Sequence, residues 1–102
     1  MQQADNLGAL GGVDHGFCSI NDPQRPDAVF ICKQVHSATV IEWQAQLATN
    51  SVAADGVFTR EHQPIAVITA DCLPILIAAE DGATVAAVHG GWKAVSYTHL
   101  RA

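Results

Sequence analysis

The sequence predicts an α/β fold built on short buried strands with helices laid over them, and three observations carry that prediction. The runs PIAVITA (64–70), PILIAA (74–79) and ATVAAVHG (83–90) are apolar at nearly every position rather than at alternate ones, the pattern of strands covered on both faces. The segment EDG (80–82) between the last two has the length and the glycine of a three-residue hairpin loop, so those strands pair antiparallel. Apolar residues make up 49% of the 102-residue chain and charged residues only 15%, so much of its surface must be covered by something, whether helices, further sequence or a partner. A single domain of this size buries roughly two thirds of the surface that its unfolded chain exposes.

Taken in order, residues 1–12 are polar and glycine-bearing, and SINDPQRPDA (19–28) has the Asn, Asp and paired prolines of a connecting loop. AVFICK (28–33) and ATVIEW (38–43) are β-branched and aromatic, which predicts two adjacent strands joined through a bend at QVHS (34–37). His36 sits in that bend. The polar, alanine-containing stretch 44–54 is the longest with any helical character, and in ADGVFT (54–59) the pair Asp55-Gly56 reads as a turn entering a brief strand. Folding PILIAA back on ATVAAVHG matches first residue to last, which makes Cys72 and His89 neighbours at one end of the sheet.

Several function classes fall away. The formal net charge is -5 and the five Lys and Arg residues are scattered, so nothing offers phosphates a basic stripe, and no nucleic-acid partner is expected. The apolar runs are far shorter than the about 20 residues a membrane helix needs. The start has Asp5 and two early glutamines rather than a signal-peptide pattern, so a cytoplasmic protein is expected. Three cysteines, Cys18, Cys32 and Cys72, make a poor disulfide framework and suit reduced thiols.

The candidate residues each carry two readings. Cys72 is either a small core hydrophobe or a chemical group, and His36 either a surface histidine or a ligand. His89 closes an apolar run and must find hydrogen-bond partners or a metal. Together, two imidazoles and a thiolate are three ligands of the type zinc prefers, with a fourth position left open for water, although their spacing is that of no short metal motif. Gly90 and Gly91 either admit a ligand close to the backbone, with amides facing an anion, or form a plain turn. Asp71 is either a proton carrier or second partner to a ligand histidine, or a turn cap. His15 and Asp55 stand equally open, while His62 and His99 read as solvated loop histidines. A metal-free alternative makes Cys72 a nucleophile with His89 as its base, giving a cysteine hydrolase or deamidase.

The blocks QVHS, ADGVFT, ITADCLPILIA and VAAVHGGWKA, with DHGFC before them, resemble in order the signature blocks of the laccase-domain family. Its members also go by multicopper polyphenol oxidase, purine nucleoside phosphorylase and peptidoglycan editing factor. The resemblance implies a truncated α/β sandwich of mixed sheets with flanking helices, and a zinc site at His36, Cys72 and His89. It implies purine nucleoside and phosphate as substrates, through phosphorolysis of adenosine, inosine, guanosine or methylthioadenosine and hydrolytic deamination of adenosine, to which a zinc-acidified water is suited. Copper oxidation of polyphenols fits less well, since a multicopper oxidase needs more histidines than the five in this chain. Members run to roughly twice this length, so residues 1–95 correspond to the N-terminal part of such a domain. The segment 96–102 departs from the family's pattern and reads as a non-native tail.

Overall fold

The computed structural model describes residues 3–18, 22–23, 26–70 and 73–90. Asp71, Cys72, Gly91, His99 and the tail 96–102 lie outside them. The described chain runs through a short helix α1 (Asp5–Gly8) and six strands: β1 (Phe30–Ile31), β2 (Val40–Glu42), β3 (Gly56–Thr59), β4 (Ile65–Ala66), β5 (Leu73–Ala78) and β6 (Val85–Gly90). They form two sheets of mixed direction: a pair β1-β4, parallel, and a four-stranded sheet in the order β2-β3-β6-β5. In the larger sheet β2 and β3 are parallel, whereas β6 runs antiparallel to both β3 and β5.

The β5–β6 hairpin forms as its apolar pattern predicts, with Leu73 opposite Gly90 and Ala78 opposite Val85. Its loop is one residue longer than expected. The Ala79 amide donates to the Thr84 carbonyl at 2.9 Å, leaving residues 80–83 as the turn, and the Ala83 amide donates to the Asp81 carboxylate at 2.9 Å. Gly82 takes the left-handed position, φ 73°, as a glycine there allows. A β-carbon on Gly82 would also stand 2.7 Å from the Gly11 carbonyl oxygen, so the N-terminal segment rests against this turn.

The pairing of the first two strands differs from the sequence expectation. Segments 28–33 and 38–43 are not neighbours: β1 pairs with β4, and β2 with β3. The reason is that QVHS does not return the chain beside itself. Lys33 bridges instead to Ala53, its amide donating to Val52 at 2.8 Å and its carbonyl accepting from Ala54 at 3.1 Å. Residues 44–54 contain no helix; they run as turns whose amides and hydroxyls bond back to Ile31 and Lys33. Gly56 is not a turn residue but the first residue of a buried strand. A β-carbon there would lie 2.9 Å from Val40 Cγ2 and 3.3 Å from Val88 Cγ2, so β2, β3 and β6 come together only over a glycine.

A core of Phe30, Cys32, Ala54 and Val57 sits between the two sheets, with Ile41, Trp43, Leu47 and Ile65 packed against it. The Cys32 thiol points at the Gly56 carbonyl, 3.8 Å away, and burial, then the nearby Asp55 charge, push its pKa up. Cys32 is therefore a core thiol, while Cys18 is exposed. Among the described residues α1 is the only helix, and none is long and apolar enough to cross a membrane. The edge strand β5 keeps Leu73 and Ile77 60% and 50% exposed, so the cover that its all-apolar pattern predicts is not supplied by the described helix.

Candidate functional site

Beyond Gly56 and Val88 the antiparallel ladder continues by one residue, the His89 amide donating to the Asp55 carbonyl at 2.6 Å. Asp55 and His89 therefore face each other as a cross-strand pair, and side chains of such a pair share one face of the sheet. Both are buried, at 2% and 4% exposure. Their side chains meet: His89 Nδ1 lies 2.7 Å from Asp55 Oδ2.

The same carboxylate organises the bend that carries His36. Its Oδ1 accepts from the amides of Val35 and Ser37, both at 2.9 Å, and from the Ser37 hydroxyl at 3.0 Å, while Oδ2 accepts from the His36 amide at 3.1 Å. Three successive amides converge on one anion because the chain turns through a left-handed residue, His36 at φ 60°, a conformation that gathers neighbouring N–H groups into a concavity and that histidine adopts more readily than most residues. Burial by itself would raise the Asp55 pKa. The hydrogen bonds from His89, from the Ser37 and Val35 amides and from the Ser37 hydroxyl outweigh it and hold the carboxyl at about 2.

An ionised carboxylate only accepts, so Nδ1 of His89 carries the hydrogen of their bond. In the neutral ring Nε2 then keeps its lone pair, the arrangement in which a carboxylate fixes the tautomer of a metal-binding histidine. The rings of His36 and His89 stand 5.4 Å apart between centroids, tilted by 59°. Zinc–imidazole bonds run about 2.0–2.1 Å and the ring centre lies roughly 1.1 Å further, so two imidazoles on one tetrahedral ion place their centroids about 5 Å apart. The observed pair fits that separation.

Of the expected ligands, His36 and His89 are thus brought together across 53 positions of sequence, from residue 36 to residue 89. Cys72 lies outside the described residues; the residue that follows it, Leu73, pairs with Gly90, the residue that follows His89. Among the described residues no group of three or more His, Cys, Asp or Glu side chains is placed to hold a metal ion. Gly90 is a strand residue rather than a turn. A β-carbon there would meet the Leu73 carbonyl and Ile75 Cδ1 at 3.0 Å each, so β5 accounts for the absence of a side chain. His15 belongs elsewhere, its Nε2 accepting from the Ala4 amide at 2.9 Å, and His62 is exposed as expected. Asp55 is the functional group that its dipeptide hides. The signal that points to it is a carboxylate set between Ala54 and Gly56 in an apolar stretch, where a charge must find several donors.

Residues 19–99 match the family model described as multi-copper polyphenol oxidoreductase laccase. The chain is similar to a purine nucleoside phosphorylase of Haemophilus influenzae, 42% identical over 72 residues, which cover 70% of this chain and 28% of that protein. It is equally similar to a purine nucleoside phosphorylase of a Synechocystis species, 42% identical over 80 residues, 71% of this chain and 29% of that protein. Among solved structures it is similar to a Neisseria meningitidis protein assigned to the family model DUF152, with a TM-score of 0.58 and 36% identity over 67% of this chain and 28% of the other. The chain thus spans less than a third of the length of these relatives.

Proposed function

The chain belongs to the laccase-type family matched over residues 19–99, and from that premise we propose that it forms the metal-binding part of a purine nucleoside enzyme. In this reading His36, Cys72 and His89 hold one zinc ion, and the reactions are phosphorolysis of adenosine, inosine, guanosine or methylthioadenosine and hydrolytic deamination of adenosine. The name borne by the Haemophilus and Synechocystis relatives supports the substrate class. The observation that carries the metal reading is the pair of imidazoles 5.4 Å apart, one of them held through Nδ1 by a buried carboxylate.

When bound, zinc supplies Lewis acidity and brings the pKa of a coordinated water towards about 7. The rest belongs to the chain. Asp55 fixes the His89 tautomer and, through the amides of residues 35–37, the backbone from which His36 projects. In this reading Cys72 contributes the third ligand, Asp71 beside it carries the proton, and the substrate approaches the backbone at Gly91 rather than at Gly90, whose space is taken by Leu73 and Ile75 of β5. A Cys72 nucleophile with His89 as base would use the same Asp55–His89 bond; the second imidazole favours the metal, because a nucleophile–base pair has no work for His36.

The test is metal analysis joined to chelation. About one equivalent of zinc should copurify with the protein and fall away in Cys72→Ala and His36→Asn variants, the latter keeping a side chain that tolerates the left-handed backbone. This segment by itself is expected to be catalytically silent; within a full-length protein, exhaustive chelation should abolish turnover of adenosine and inosine. Zinc unchanged in both variants would refute the ligand set, copper in its place would refute the metal, and activity surviving chelation would favour the cysteine nucleophile.

A further inference from the structure

We infer that Gln34 is a positioning residue of the proposed metal site, linking the bend that carries His36 to the segment that runs into Cys72; the inference rests on the zinc reading above. The parallel ladder of β1 and β4 ends at Ile31 opposite Ala66. One side of β1 faces β4, with the Phe30 amide donating to Pro64 at 2.9 Å. Its other side is committed to residues 49–54, since the carbonyls of Ile31 and Lys33 accept from Asn50 at 2.7 Å and Ala54 at 3.1 Å.

Past Ala66 the strand has no further ladder, and the Gln34 side chain stands in for one. Its Nε2 donates to the Ile68 carbonyl at 2.7 Å and its Oε1 accepts from the Ile68 amide at 2.8 Å. One side-chain amide thus satisfies both polar backbone groups of one residue, the exchange that two strands make at a hydrogen-bonded pair. A primary amide alone among side chains of that length has both the donor and the acceptor this needs.

The position gives the clamp its function. Gln34 stands two residues before His36 and Ile68 four before Cys72 in sequence, so the bond ties the bend that carries His36 to the described stretch at Ile68, and on the zinc reading the chain on either side of that tie must deliver a ligand to one ion. Asp55 does not reach this second segment, because its bonds run to residues 35–37 and to His89. Outer partners of metal ligands commonly contribute 10- to 100-fold in metal affinity, and a clamp one step further back should contribute about 10-fold.

The molecule contains its own control. Gln63 makes a comparable pair of bonds with one Nε2, to the Ala28 and Pro64 carbonyls at 2.9 Å each, at the far end of the same β1–β4 pair. Zinc affinity of the full chain is measured by competition with a chromophoric chelator for the wild type, Gln34→Ala and Gln63→Ala, with circular dichroism recorded on each sample. The expected result is affinity lowered about 10-fold by Gln34→Ala and unchanged by Gln63→Ala. Should Gln34→Ala fail to fold, Gln34→Glu carries the test, since it keeps the bond from the Ile68 amide but sets an oxygen against the Ile68 carbonyl. Equal affinity of the Gln34 variants and the wild type, or an equal loss in Gln63→Ala, overturns the positioning role and leaves the zinc reading intact. A wild-type chain that takes up no zinc overturns both.

Discussion

Replacing Asp55 by Asn removes one charge and keeps the shape, and the structure fixes what that should cost. Five donors converge on the two carboxylate oxygens: the amides of Val35, His36 and Ser37, the Ser37 hydroxyl and His89 Nδ1. An amide oxygen can replace Oδ1, which serves three of them. The NH2 group then confronts the His36 amide and His89 Nδ1, so one partly buried amide is stranded and His89 must move its hydrogen to Nε2. Holding the carboxyl at about 2 rather than its ordinary 3.8 favours the ionised form by about 2 kcal/mol. Adding a stranded donor brings the expected loss to about 3 kcal/mol at pH 7. The sign with pH follows from the lowered pKa: the contribution is complete above about pH 4 and is lost as pH falls to about 2. Urea unfolding of the wild type and Asp55→Asn between pH 7 and pH 2.5 reads it directly, with the gap narrowing by about 2 kcal/mol over the acid limb. Zinc binding should fail at neutral pH because Nε2 has lost its lone pair. A gap below about 0.5 kcal/mol at pH 7, or one that does not narrow in acid, would refute the account of Asp55 as the charge that joins bend to strand.

Two more outcomes follow from the packing. Gly56→Ala should destabilise the chain by about 1–3 kcal/mol through its contact with Val40, and Val40→Ala in the same chain should recover at least half of that; additive losses in a double-mutant cycle would show that the crowding is relieved elsewhere. In the native protein Cys32 should react with a thiol reagent at least about 100-fold more slowly than Cys18, measured peptide by peptide by mass spectrometry, and comparable rates would contradict its burial.

What the sequence reveals is what short range controls. The β5–β6 register could be read because one glycine-bearing loop joins two apolar runs, and pairing around a loop is fixed by its ends. His89 could be singled out because an imidazole at the end of such a run needs partners. The partner itself could not be read: Asp55-Gly56 has the composition of a turn, and only the β3–β6 ladder turns it into a buried carboxylate facing His89. β1 and β2 went to different sheets for a similar reason, since residues 28–33 and 38–43 have the same β-forming character and nothing local distinguishes β4 from β2 as a partner. Gln34 stands in the QVHS block that carries the resemblance, but its bond to Ile68 had no signal, because a glutamine that replaces a strand looks like any polar loop residue. The apolar pattern of β5 predicted cover on both faces, and Ile77 at 50% exposure shows one face without it among the described residues.

The bond between Asp55 and His89 spans 34 positions, and this separation bears on the order in which the chain folds. The β5–β6 hairpin closes a loop of four residues, whereas β3 reaches β6 only by joining Thr59 to Val85. Each doubling of a closed loop adds only about 0.6 kcal/mol of entropy, but contacts distant in sequence still form late, after local ones have collapsed. Topology therefore predicts that His89 joins its strand before β3 brings its carboxylate, an order that φ-values at Ile75 and Val57 would test. On the zinc reading, a metal ion held by both imidazoles would mark a chain whose long-range pairing is complete, and its binding energy would be withheld from every shorter-range structure on the way.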